Sequence, residues 1–171
     1  IAYRDTWGKG QDSFLAMIYE RLELIRQIAA PDASILVHVD FRLQHYVKAV
    51  LDEVFGRENS LEELIWYFNS GARSQHGFGK RHNTIFRYGV DSHSTPTFND
   101  RGAGIQEKVR VPYSPDINIP ASKAHYYDED GKVRDDVLAI PIIGQNDRKE
   151  RTGYPTQKPE RLLDLLIAAY S

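Results

Sequence analysis

Apolar positions early in the chain follow two different periods. Phe14, Met17, Ile18, Leu22, Ile25, Ile28 and Ala29 recur every three or four residues, which predicts an amphipathic helix that Asp12 can cap and Pro31 ends. The run Ser34-Ile-Leu-Val-His-Val-Asp40 is instead almost continuously aliphatic and β-branched, the pattern of a strand covered on both faces, and so predicts a central, parallel strand. Leu43, Tyr46, Val47, Val50, Leu51 and Val54 restore the helical period, with Gly56 placed to end that helix in the left-handed conformation. Helix, buried strand, helix is the signature of the α/β class.

Two further strand candidates, residues 63–68 and 84–88, flank a Gly-rich basic stretch containing Ser70, Gly71, Gly77 and Gly79, and are expected to pair at a sheet edge. From 91 to 145 periodicity fades, and Pro96, Pro112, Pro115, Pro120 and Pro141 are spread through it. An irregular connection of that length inside a compact domain points to function or disorder. Leu162, Leu163, Leu165, Leu166, Ile167 and Ala169 then make a helix that begins at Pro159. There is no internal repeat and no low-complexity segment.

At 171 residues the chain suits one domain, and 41% hydrophobic with 27% charged residues is ordinary globular composition. No apolar run approaches the ~20 residues of a membrane span, so a soluble protein is expected, and a chain without cysteine is compatible with the cytoplasm. The absence of cysteine excludes disulfides, thiolate zinc sites and a cysteine nucleophile. The six histidines show no metal spacing, and Asp128-Glu-Asp130 with Asp135 and Asp136 lacks the pattern of a calcium loop, so no metal is expected. A net charge of -2 argues against a general polyanion binder. Local charge changes that picture: between Asn69 and Val90 stand Arg73, Lys80, Arg81 and Arg87, two histidines and no acid.

Several segments in order resemble the N-6 adenine and N-4 cytosine DNA amino-methyltransferases, in the arrangement where the catalytic motif precedes the cofactor motif. They are Tyr3-Arg-Asp5-Thr-Trp7, the helix around Phe14, Met17 and Leu22, the strand ending at Asp40, Leu51-Asp-Glu-Val-Phe55-Gly56, Leu64-Ile-Trp66, Lys80-Arg-His82-Asn-Thr-Ile85-Phe-Arg-Tyr88, and Arg151-Thr-Gly-Tyr-Pro-Thr-Gln-Lys-Pro-Glu160. The last string, running into an apolar helix, is the most specific. The resemblance covers roughly 1–90 and 137–171. It implies a partial Rossmann-like, S-adenosylmethionine-dependent methyltransferase fold of the α/β class. Residues 1–171 would then form a single incomplete methyltransferase domain, with 91–145 as a variable target-recognition insert.

The family's Pro-Pro catalytic motif and its Phe-x-Gly-x-Gly cofactor loop do not occur in these residues, and are expected upstream of Ile1 and beyond Ser171. No catalytic residue is therefore assigned here, and the piece is expected to be inert alone, with an incomplete sheet and helices missing part of their packing. The resemblance further implies double-stranded DNA as a partner, a homodimer or a restriction subunit as protein partners, and no membrane.

By the same resemblance Tyr154, Thr156, Gln157 and Lys158 border the cofactor, with Lys158 as a cation for its carboxylate and Tyr154 where relatives often carry His. Asp40, at the carboxyl end of a strand, either borders the ligand or caps the following helix. Tyr3 and Trp7 line the target-base pocket or, for Trp7, pack in the core. Arg73, Lys80, Arg81 and Arg87, interleaved with His76, Phe78, His82, Phe86 and Tyr88, hold DNA phosphates or form a solvated face, with Phe86 and Tyr88 packing inward. His38 reads as a hydrogen-bonded core residue. Two functions fit: site-specific methyl transfer from S-adenosylmethionine to an exocyclic base amine, adenine being the commoner target, or a non-catalytic DNA-binding relative that keeps the scaffold.

Overall fold

The computed structural model describes residues 10–68, 75–99, 136–144, 147 and 149–171. Three helices, α1 (Gln11–Ile28), α2 (Gln44–Phe55) and α3 (Glu160–Tyr170), accompany four strands, β1 (Ser34–Asp40), β2 (Ser60–Tyr67), β3 (His82–Gly89) and β4 (Val137–Ala139). The strand order is β1-β3-β2-β4. β3 pairs antiparallel with both β1 and β2, while β4 joins β2 in parallel. Among the described residues no helix is long and apolar enough to cross a membrane.

β1 departs from its expected place. It is neither central nor parallel among the described strands, but pairs antiparallel with β3 from Ser34↔Gly89 to Asp40↔Asn83, and all seven of its residues are half-buried. The central strand is β3, buried from Thr84 to Gly89. A continuous apolar run reports burial but carries no information on strand direction, which is set here by the return of β3 after β2. The expected β2–β3 pairing is found, but in the interior of the sheet and not at its edge, since β1 and β4 flank the pair.

Strand alternation divides the interior into two cores. One face of the sheet presents Ile35, Val37, Val39, Phe86 and Tyr88 to α1 and α2, which contribute Phe14, Leu15, Ile18, Leu22, Val47, Leu51, Val54 and Phe55. The opposite face carries Leu36, Leu64, Trp66, Ile85 and, from β4, Leu138, and these pack with Ile140 against Leu162 and Leu166 of α3. Phe86 and Tyr88 pack inward as expected. On α1, however, Ile25 and Ile28 are 38% and 85% exposed, and on α3 Ile167 is 61% exposed, so the predicted stripes extend beyond the cores they meet.

The helix ends also differ from expectation. Gly10 occupies the N-cap of α1 and Asp12 lies within its first turn, without a side-chain capping bond. Pro159 is the N-cap of α3 and not its first helical residue. Gly56 does end α2 at positive φ, but at ψ 137, outside the left-handed helical region. With φ at +90 and Glu58 packed over its Cα, that position suits no other residue well.

Candidate functional site

The register places His38, Asp40, Asn83 and Trp66 on the α3-facing side of the sheet, at the end where β1 and β2 finish and β3 begins. The loop entering α3 brings Lys158 to the same place. Its ammonium is close enough to His38 to disfavour a charge on the imidazole. Trp66 forms the floor: its indole N–H donates to the Ile140 carbonyl at 2.7 Å, and its ring lies 5.5 Å from His38 and 5.3 Å from Phe68.

The electrostatics are those of a partly dried cation. Burial pushes the Lys158 pKa below its ordinary value. Its Nζ donates to the Thr156 carbonyl at 2.9 Å, and among the described residues no carboxylate pairs with it. Burial, followed by the charge of Lys158, pushes His38 down to about 4 against a smaller opposing pull from Asp40, so the ring is neutral at pH 7. Its Nε2 lies 3.0 Å from the Asn83 side-chain amide, an arrangement that suits an accepting nitrogen. The carboxylate of Asp40 is already engaged. It accepts from the Arg42 backbone N–H at 2.9 Å and from its guanidinium at 2.8 and 2.5 Å. Burial opposes ionisation of Asp40, but these bonds outweigh it and hold the pKa below the usual carboxylate value. Asp40 thus stands at the carboxyl end of β1 and braces the turn leading to α2.

Gln157 organises the loop. Its side-chain oxygen accepts from the Thr152 N–H and hydroxyl at 2.8 and 2.9 Å, and its amide donates to the Glu150 carbonyl at 2.8 Å. Asp147 accepts from the Lys149 and Glu150 amides, and Glu150 in turn accepts from the Glu160 N–H at the start of α3. Gly153, at φ +86, makes the turn that lets Thr152 face Gln157. Tyr154 and Thr156 are exposed at the rim. The string legible in the sequence therefore divides into a presented cation, Lys158, and a scaffold, Gln157.

The basic residues also divide. Lys80 is exposed, with its Nζ 4.2 Å from the centroid of the Phe41 ring, so it borders the same end of the sheet as Asp40. Arg81 is half-buried beside it and folds over Gly79. Arg87 does not join them. It is 5% exposed at the far end of the face, donating to Ser34 at 3.2 Å, Glu62 at 3.1 Å and the Thr97 carbonyl at 2.9 Å, with its guanidinium 4.1 Å from the Tyr170 ring centroid. A cation enclosed in that way is not presented to DNA phosphates. Tyr3, Trp7 and Arg73 lie outside the described residues. His38, Trp66 and Asn83 were not singled out as site residues from the sequence, although the two-residue step from His38 to Asp40 is the signal that they share a face.

A family profile described as N6_N4_Mtase, DNA methylase, matches residues 4–171. A 59-residue stretch is 34% identical to the Mod subunit of the type III restriction-modification enzyme EcoP15I of Escherichia coli, covering 34% of this chain and 9% of that subunit. The PvuII DNA methyltransferase, cytosine-N4-specific, is similar at a TM-score of 0.64 and 13% identity, over 99% of this chain and 59% of its own. M1.HpyAVI in its complex with SAM is similar at a TM-score of 0.58 and 13% identity, over 94% and 63%. The chain thus spans about three fifths of these structures and a much smaller part of the Mod subunit, and the structural likeness is one of fold. With the profile running through nearly every residue, the chain belongs to the DNA methylase family N6_N4_Mtase.

Proposed function

We propose that this chain is the part of a site-specific DNA methyltransferase that holds the carboxylate end of S-adenosylmethionine, with an exocyclic base amine, that of adenine, as methyl acceptor. One observation carries the reading: the half-buried ammonium of Lys158 lies beside a neutral His38 and has no carboxylate partner among the described residues. A desolvated cation without a counter-ion is destabilising, and an arriving carboxylate removes that penalty. The SAM complex of M1.HpyAVI and the Mod subunit match support the same cofactor and a restriction-modification setting.

S-adenosylmethionine supplies an electrophilic methyl group on a positively charged sulfur, which the amine nitrogen accepts with loss of a proton. The residues here place the reactants. Lys158 pairs with the amino-acid carboxylate, Gln157 and Gly153 fix the loop from which it projects, and Trp66 with neutral His38 keeps a low-dielectric wall that strengthens the pairing. Lys80 and Arg81 would meet phosphates while the target base leaves the duplex, at a cost of a few kcal/mol. Residues 91–145 would contribute target recognition, in a cytoplasmic enzyme acting with a second copy or a restriction subunit.

The test is calorimetric titration of S-adenosylmethionine into the full-length protein and its Lys158→Ala variant. A charge-assisted contact of about 1.5–3 kcal/mol corresponds to roughly 10- to 150-fold weaker cofactor binding, with DNA affinity nearly unchanged. Equal affinities would remove Lys158 from the site. A full-length protein that binds DNA but no cofactor would favour the non-catalytic reading. Methyl transfer to duplexes offering only adenine or only cytosine in the recognition sequence would decide the target base.

A further inference from the structure

Phe78 is the most exposed large apolar side chain among those described, at 102% of its reference area, and it stands in a segment whose other features are polar and cationic. It is preceded by Gly77 and followed by Gly79. A Cβ built on Gly77 would meet nothing within 4 Å, and one on Gly79 would meet only the Arg81 side chain. Neither neighbour therefore carries a side chain that could shield the ring or hold a ligand surface away from the backbone. Two residues on, Lys80 lies over Phe41, the residue that follows Asp40 at the end of β1. At ~3.8 Å between successive Cα atoms, the backbone of Phe78 is within about 8 Å of that of Lys80. The ring thus stands in the segment leading into β3, at the end of the sheet that carries Asp40.

A fully solvated Phe between two glycines contributes nothing to either core, and its surroundings decide what it can meet. Between Asn69 and Val90 there is no acidic residue, and His76, Lys80, Arg81 and His82 surround the ring in sequence. Charge complementarity points to a polyanion that also offers apolar area, and the stacked bases of duplex DNA supply both. Apolar wedges beside phosphate-binding cations unstack base steps in this way. We propose that Phe78 inserts into the base stack beside the target nucleotide and holds it open while Lys80 and Arg81 neutralise the flanking phosphates.

This inference rests on the proposed methyl transfer, and the experiment separates the two. The full-length protein is mixed with duplex carrying 2-aminopurine at the target position, and fluorescence, cofactor affinity and single-turnover methylation are measured for wild type, Phe78→Ala and Phe78→Trp. For Phe78→Ala the expected result is loss of most of the fluorescence rise and roughly tenfold or greater slowing of methylation, with unchanged cofactor affinity and an unchanged melting temperature. Phe78→Trp should restore both signals. Wild-type behaviour of Phe78→Ala in an active enzyme overturns the wedge alone. A wild-type protein that neither binds the cofactor nor transfers methyl overturns the proposed function and the wedge with it. Intact fluorescence in Phe78→Ala with lost association of a protein subunit would reassign the ring to a protein interface.

Discussion

One face of one sheet holds two cations at its opposite ends, and they are treated in opposite ways. Arg87 is enclosed at the end of α3, bonded to Ser34, Glu62 and the Thr97 carbonyl and stacked on Tyr170, whose hydroxyl also donates to Glu62 at 2.7 Å. Lys158, at the start of the same helix, is half-buried with one carbonyl for company. Burial alone therefore does not distinguish a charge that the fold answers from one that it leaves open. The distinguishing property is whether the chain supplies the counter-charge itself, because a buried ion is tolerated only when its field is answered.

The strongest way to break this comparison is to remove Arg87. Arg87→Ala would strand Glu62 and the Thr97 carbonyl, and breaking such a pair should reduce stability by about 2–4 kcal/mol, below the fully buried range because Glu62 is partly solvated. Urea denaturation measures it. Lys158→Met should leave stability within about 0.5 kcal/mol of wild type, or raise it, since among the described residues no ion pair is lost. Destabilisation equal to that of Arg87→Ala would show that Lys158 is structural after all.

A pH series sharpens the same contrast through His38. Its folded pKa of about 4 lies below the ordinary 6.5, so between those values the unfolded chain binds a proton that the fold refuses. Stability should consequently be unaffected by this group above pH 6.5 and fall as pH drops toward 4, by about 1–2 kcal/mol after allowance for solvent reaching the half-buried ring. Comparing His38→Gln with wild type at pH 7 and pH 4.5 isolates that contribution from the carboxylates. Lys158→Met should shrink it, because part of the shift comes from the ammonium.

The smallest effect concerns the two cations just ahead of β3. Replacing Lys80 and Arg81 together by Ala should lower the slope of log affinity for DNA against log salt by about two, and weaken binding similarly on all sequences. An unchanged slope would reduce them to a solvated face.

The three helices were legible because each carries several turns of period, whereas β4 was not. Three residues beside Pro141 give no alternation, and β4 is held by its parallel pairing with β2 and by Leu138 in the core under α3. The direction of β1 was hidden for a related reason: pairing is a property of two strands and its sense is written in neither. Lys158 could be read from its string of neighbours. Its environment could not, because His38, Asn83 and Trp66 converge only through the register of three strands. Arg87 was misplaced by a rule that usually holds, that charge on a strand faces solvent. Here residue 87 falls on the buried side of a strand whose two faces are both covered.

The union of β2 with β4 spans a long stretch of chain. The Trp66 indole reaches Ile140 across 74 residues, and Ile65 aligns with Val137 in parallel. Closing a connection of that length is slow, so β4 and α3 should dock after the local β2–β3 hairpin has formed. The closure entropy nevertheless grows only with the logarithm of length, about 0.6 kcal/mol for each doubling. Residues could therefore be added or removed between these strands at little thermodynamic cost, and the place where the fold assembles last is also where its sequence is freest to diverge.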